Sequence, residues 1–185
     1  MIRGLVLAGG KSSRFGSDKA TAVYEGVRFL ERAVSLLKEL GLKPVVVTRK
    51  NANYPFIQCT LIQDKMPDLG PLGGIYTAMS IFRNTAFLVL TCDMPALTLP
   101  VLSELLAKHE ARYPVTAYST DDRGLQPFPG VYEPSLLGVV REQMKDGDLS
   151  MRGLFRKAPA ARILRWQGDP DVFNNVNLLP AGVDF

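Results

Sequence analysis

The sequence predicts an α/β fold of three layers, a mostly parallel central sheet covered by helices. Three observations carry this. Five short apolar runs lack polar alternation, at Ile2 to Leu7, Pro44 to Thr48, Cys59 to Ile62, Ala86 to Thr91 and Val115 to Tyr118, and strands of that kind are buried on both faces. Segments with helical spacing separate them, an order that calls for parallel strands joined by right-handed crossovers. The 185 residues are 46% hydrophobic and 22% charged, which suits one full core and makes a second domain unexpected.

Each helix has its own signal. Phe29, Ala33, Leu36, Leu37 and Leu40 repeat at helical spacing, closed by Gly41 and followed by Pro44. Leu72 to Phe82 and Leu99 to Tyr113 are the next two expected helices. Beyond Gln126 the pattern is less regular: QPFPGVY carries two prolines, helices are expected near Pro134 to Lys145 and Leu149 to Lys157, and a strand at Arg162 to Trp166. In open sheets of this kind ligands collect beyond the carboxyl ends of the strands.

Bulk chemistry narrows the function. The net charge is +4 and the sequence pI about 9.1, a basic excess that suits phosphate-bearing small molecules as well as nucleic acid. The basic residues gather in one loop rather than along a stripe with stacking aromatics, which disfavours a nucleic-acid partner. Two separated cysteines, Cys59 and Cys92, and one histidine, His109, disfavour a zinc cage or a disulfide framework. A Ser-His-Asp arrangement has nothing to recommend it either. MIRGLVLAGG is too short an apolar run for a signal peptide. No segment reaches the ~20 apolar residues that span a bilayer, so the expectation is a cytoplasmic protein without a membrane.

The densest chemistry lies in LAGGKSSRFGSDKA, residues 7–20, directly after the first run. A Walker A loop would need glycine where Leu5 stands, and Gly9, Gly10 and Gly16 do not make the dinucleotide spacing. What remains is a loop whose Gly9 and Gly10 can bring bare backbone to a ligand, with hydroxyls at Ser12 and Ser13 and charge at Arg14 and Lys19. Successive amides with fixed cations make an anion site, and a polyphosphate fits it better than a single carboxylate. A solvated surface turn is the plainer alternative. Opposite it, FLVLTCDMPAL places Asp93 after a buried strand with Pro95 turning the chain. Asp93 can serve a magnesium ion bridging phosphates, or cap the helix that follows. Asp64 ends LIQD and can accept paired N–H donors of a ligand, or simply make the turn into KMPDLGP. Pro71 opens the following helix. Gly73 and Gly74 on it can admit a flat base or a tight junction.

The loop resembles the signature L-A-G-G-x-S-x-R-x-G-x-D-K-x of nucleotidyltransferases, most closely the molybdenum cofactor guanylyltransferases; related cytidylyltransferases usually begin L-A-A-G. The resemblance implies a Rossmann-like nucleotidyltransferase fold that wraps the triphosphate of GTP. It places Leu7, Ala8, Gly9 and Gly10 on the nucleotide, and Arg14 and Lys19 on the phosphates as catalytic groups. It makes Asp93 the Mg2+ ligand, through C-D-x-P, and puts Asp64, Gly73 and Thr48 at the nucleotide. Thr48 stands where the family commonly carries Asn, which puts a base contact there in doubt. QPFPGVY, LSMRGLFRKA and FNNVNLLP resemble the family's acceptor segments and imply acceptor contacts at Gln126, Arg152, Asn175 and Asn177. The last two would point to one side of a strand. Arg156 shares a helix face with Arg152. The usual Thr-Pro after the asparagines is replaced by Leu178 and Leu179 with Pro180 one place later. The implied reaction joins GMP to a phosphate of Mo-molybdopterin and releases pyrophosphate, with cofactor-delivery or molybdoenzyme chaperone proteins as partners. The nucleotide part would occupy about 1–113 of a single domain and the acceptor part about 114–185. Two other readings share these residues: a nucleotidyltransferase using CTP or a sugar 1-phosphate, and a catalytically silent nucleotide-binding adaptor.

Overall fold

Seven strands run through the centre of the computed structural model, which describes residues 1–8, 18–176 and 183–184. In chain order the strands are β1 (Ile2–Leu7), β2 (Val23–Tyr24), β3 (Val27–Arg28), β4 (Pro44–Thr48), β5 (Thr60–Gln63), β6 (Ala86–Thr91), β7 (Val115–Thr120), β8 (Gly124–Tyr132), β9 (Ala161–Arg165) and β10 (Val183–Asp184). The helices are α1 (Phe29–Glu39), α2 (Gly70–Ile81), α3 (Leu99–Lys108), α4 (Leu136–Lys145) and α5 (Met151–Lys157). The main sheet has the order β5-β4-β1-β6-β8-β7-β9, and a small second sheet the order β10-β2-β3.

Alternation along each central strand makes the three layers. Val6, Val46, Leu88 and Leu90 face α1 and α3, packing on Leu30, Val34, Leu37, Leu102 and Leu105. Leu5, Val45, Val47, Phe87 and Val89 face the other way, onto Ile75 and Met79 of α2, Val140 of α4 and Leu154 of α5. Both sets are buried, so β1, β4 and β6 read as unbroken apolar runs. No helix among the described residues is long and apolar enough to cross a membrane.

Several expectations shift in detail. β5 is an edge strand with Thr60, Leu61 and Gln63 exposed, so the run at Cys59 to Ile62 is not buried on both faces. α3 stops at Lys108 rather than continuing to Tyr113. His109 turns extended (φ −74°, ψ 138°), and its ring bridges the Thr116 hydroxyl and the Glu133 carboxylate at 2.8 Å each, while Pro114 disfavours helix at the residue before it. The hairpin of β2 and β3 was not anticipated; its turn holds Glu25 at φ 50° and Gly26 at φ 77°, the left-handed pair a tight hairpin demands.

β8 is the reversed strand. It pairs antiparallel with both β6 and β7, and its prolines fit because the register with β7 jumps from Ala117↔Gly130 to Tyr118↔Gln126. The bulge places Pro127 and Pro129 off the ladder, where the missing N–H costs nothing. Because β8 is antiparallel to both, β7 runs in the direction of β6 and carries residues 121–123 to the carboxyl end of the sheet.

Gly73 fixes the start of α2. A Cβ there would lie 2.4 Å from the Met66 carbonyl oxygen, so Gly73→Ala must push the loop of residues 66–69 off the helix. The expected loss is about 1–3 kcal/mol of stability, as for other overpacked sites, read as a lower midpoint in urea unfolding.

Candidate active site

The chain leaves β1 between β4 on one side and β6 on the other, and the strand order reverses there, which opens a crevice at the carboxyl ends. Leu7 and Ala8 line its floor. Ala8 N–H donates to the Val47 carbonyl at 3.0 Å and the Cys92 N–H to the Leu7 carbonyl at 3.4 Å, so β1 is stitched to both neighbours at its last residues. Gly9, Gly10, Arg14 and Asn177 lie outside the described residues.

Two expected partners meet over this floor. Lys19 Nζ stands 3.4 Å from Asp93 Oδ2, both side chains largely buried, and donates to the Val176 carbonyl at 3.0 Å. Val176 N–H in turn donates to the Asp93 carbonyl at 2.8 Å. Asp93 does not cap α3, whose N-cap is Thr98. Its Oδ1 is buried with no hydrogen-bond partner among the described residues, and so is the hydroxyl of Thr91 at the end of β6. An orphaned carboxylate oxygen is costly unless a cation or donor meets it. One carboxylate completed by phosphate oxygens and water is what magnesium takes, so the residues fit that ion. No cluster of three or more His, Cys, Asp or Glu able to hold a metal occurs among the described residues.

Lys19 is delivered by a short 3-10 turn, Lys19–Thr21, capped by Asp18. Asp18 Oδ1 accepts from Ala20 N–H at 3.1 Å. Its Oδ2 accepts from the Tyr54 hydroxyl at 2.7 Å and pairs with Arg49 at 2.9 Å. Burial first, and then the Asp18 carboxylate, push the Tyr54 hydroxyl well above its ordinary range, so it stays a donor. Sequence reasoning passed over this clamp, although an Asp two residues ahead of the amide that it accepts from is a capping signal. The Cys92 thiol, next to Asp93, is pushed up to about 12 by burial and then by Asp93 and Asp18; it stays protonated and is no nucleophile.

Asp64 makes the turn that was its plainer reading. Oδ1 accepts from Met66 N–H and from the Thr77 hydroxyl, each at 2.9 Å, which makes the turn. Oδ2 meets no donor among the described residues. Asp64 also lines a cavity of about 620 Å³ with Lys50, Gln63, Lys65 and Pro67 among its walls. Thr77 on α2, fully buried, was missed because a lone threonine in a helix carries no pattern.

The other expected site residues are spread over several places in the fold. Thr48 is buried; its hydroxyl donates to the Ile62 carbonyl at 3.4 Å and its carbonyl accepts from Asp64 N–H at 2.8 Å, so its polar atoms serve the β4–β5 junction. The smallness of Gly73 makes the tight junction with Met66. Asn175 is exposed and lies in irregular backbone after the 3-10 turn Pro170–Phe173, not on a strand. Gln126 Nε2 turns back to the Gly124 carbonyl at 3.2 Å. Arg152 and Arg156 share a depression of about 500 Å³ with Leu125, Phe155 and Ile163; neither cavity includes Lys19 or Asp93.

Comparison with known proteins bears on this arrangement. A family model described as a MobA-like NTP transferase domain matches residues 4–163. A protein named probable molybdenum cofactor guanylyltransferase from Flavobacterium johnsoniae is 30% identical over 154 residues, 83% of this chain and 80% of its own length. One of the same name from a Geobacillus species is 33% identical over 184 residues, covering 95% and 93%. Among solved structures, molybdopterin-guanine dinucleotide biosynthesis protein A from Archaeoglobus fulgidus superposes with a TM-score of 0.73 at 20% identity, over 89% of this chain and 83% of that one. A protein from Aquifex aeolicus reaches 0.78 at 20% identity, over 96% and 94%. At such identities these two structures speak for the fold.

Proposed function

Since the chain belongs to the MobA-like NTP transferase domain family, whose model matches residues 4–163, and is thereby a nucleotidyltransferase, we propose that it is a molybdenum cofactor guanylyltransferase. It transfers GMP from GTP to a phosphate of Mo-molybdopterin. The observation that carries this reading is the Lys19–Asp93 pair over the end of β1, with Asp93 Oδ1 left for a cation. An acceptor phosphate oxygen attacks the α-phosphorus of GTP; the new P–O bond forms as the bond to the β-phosphate bridge breaks, and its electron pair leaves with pyrophosphate. No protein nucleophile is required, so catalysis rests on alignment and on charges placed in advance.

Asp93 would hold Mg2+, its Oδ1 being the oxygen without a hydrogen-bond partner among the described residues. When bound, that ion neutralises charge on the phosphate oxygens. Lys19, held by Asp93 and the Val176 carbonyl, presents its charge to the departing phosphates, joined by Arg14 and by the amides of Gly9 and Gly10, while Leu7 and Ala8 form the floor. Because Asp64 Oδ1 is committed to its turn, Oδ2 receives the guanine N–H groups. Gln126, Arg152, Asn175 and Asn177 receive the anionic acceptor. Residues 1–113 and 114–185 are the nucleotide and acceptor parts of one domain, acting in the cytoplasm with cofactor-delivery or chaperone proteins as partners.

The test offers GTP, CTP, ATP and UTP in parallel, with Mg2+ and Mo-molybdopterin, and follows pyrophosphate. GTP is expected to dominate; CTP preference would reassign the base, and no release with any triphosphate would leave only a binding protein. Asp64→Asn keeps an oxygen for Met66 and Thr77 but turns a donor toward guanine. It is expected to lower kcat/KM for GTP by about tenfold or more, the worth of one hydrogen bond to a charged group, and to narrow the preference over the other triphosphates.

A further inference from the structure

We infer that Arg123 is a positioning residue for the Lys19–Asp93 pair, acting through a strap formed by residues 169–176; the inference builds on the role proposed for Lys19. The strap ends at Val176, whose N–H is tied to the Asp93 carbonyl and whose own carbonyl holds Lys19 Nζ. Its side chain packs with Ala22, Phe29 and Tyr24, close behind the turn that carries Lys19. One backbone position therefore sets the lysine and the aspartate relative to each other.

The strap reaches Val176 through the 3-10 turn Pro170–Phe173 and then irregular backbone, so something must fix its path. At its start Trp166 Nε1 donates to the Asp169 carbonyl at 2.9 Å, and Phe173 is buried beside the rings of Tyr118 and Trp166 at 5.5 and 5.6 Å. Over the remaining stretch the hold comes from Arg123, in the β7–β8 turn. Its guanidinium donates to the Pro170 carbonyl at 3.2 Å, to the Asp171 carboxylate at 2.5 Å and to the Asn174 side-chain carbonyl. Asn174, two residues ahead of Val176, returns its amide to Asp171 at 3.0 Å. A planar fork engaging three acceptors fixes direction as well as distance.

Magnitude separates positioning from mere stability. The Arg123 side chain is 36% exposed, and ion pairs so open to water add little to folding. What the fork determines is where the Val176 carbonyl stands, and with it Lys19. Losing Arg123 should therefore disturb the lysine while leaving the fold in place.

The test uses the whole protein and two readouts. In ligand-free protein, amine-selective labelling of Lys19, quantified by peptide mass spectrometry, is expected to rise several-fold in Arg123→Ala while Lys108 labels as before. In turnover with the preferred triphosphate, Arg123→Ala is expected to lower kcat/KM about tenfold, within the coupling range of shared hydrogen-bond networks, but by less than about twofold when Lys19→Ala is already present. Asn174→Ala repeats both measurements should Arg123→Ala melt early. Unchanged Lys19 labelling in both variants, or an equal loss of turnover in both backgrounds, overturns the inference. Raised labelling in a protein that turns over no triphosphate would uphold the strap and sink the guanylyltransferase reading instead.

Discussion

Lys19→Ala is expected to lower kcat for guanylyl transfer by about 100-fold or more, the usual cost of removing one charge-stabilising donor placed in advance, with a smaller rise in KM for GTP. Negative charge grows on the leaving pyrophosphate as the bond breaks, so a cation there is worth more in the transition state than in the ground state. Lys19 is suited to the task because it is largely buried and held by backbone at Val176, so little reorganisation is needed at the moment of transfer. Steady-state kinetics with saturating acceptor separate kcat from KM. Retained kcat would mean that the lysine only neutralises Asp93.

Asp93→Asn is expected to cost a similar factor for a different reason. The amide keeps the shape of the side chain and still suits the Lys19 contact through its oxygen, but it no longer offers the charged atom whose orphaned state in the ligand-free chain matches a divalent cation. Turnover should fall by about 100-fold or more, the scale of a lost charge-stabilising interaction, and the magnesium concentration for half-maximal rate should rise. GTP titrated calorimetrically without magnesium should bind the variant at least as well as the parent, since a negative charge facing the phosphates has gone. Near-normal rates at ordinary magnesium levels would show that Asp93 is not the metal ligand.

Much of the scaffold could be read in advance because β1, β4 and β6 are apolar on both faces, and a strand that never meets water has no polar alternation to confuse. β5 misled for the same reason in reverse: an edge strand can keep apolar residues, as the exposed Leu61 does. Lys19 could be singled out because it closes a glycine-rich basic loop after β1, and Asp93 because it follows a buried strand just ahead of Pro95. Val176 was not. Its contribution comes from its backbone N–H and C=O, which every residue except proline possesses, so no side-chain pattern could mark it. Arg123 and Tyr54 escaped because their partners lie 48 and 36 positions away along the chain. Asp64 shows the limit from the other side: residue type identified an acceptor, but only geometry shows that Oδ1 is committed to the turn.

The knot at Val176 has a consequence for biosynthesis. The lysine is made first, the aspartate 74 residues later, and Val176, which ties them together, 157 residues after the lysine. A nascent chain halted before that residue could assemble β1, β4 and β6 and still be unable to hold a nucleotide productively. The contacts that join the pair therefore cannot form until Val176 has been made.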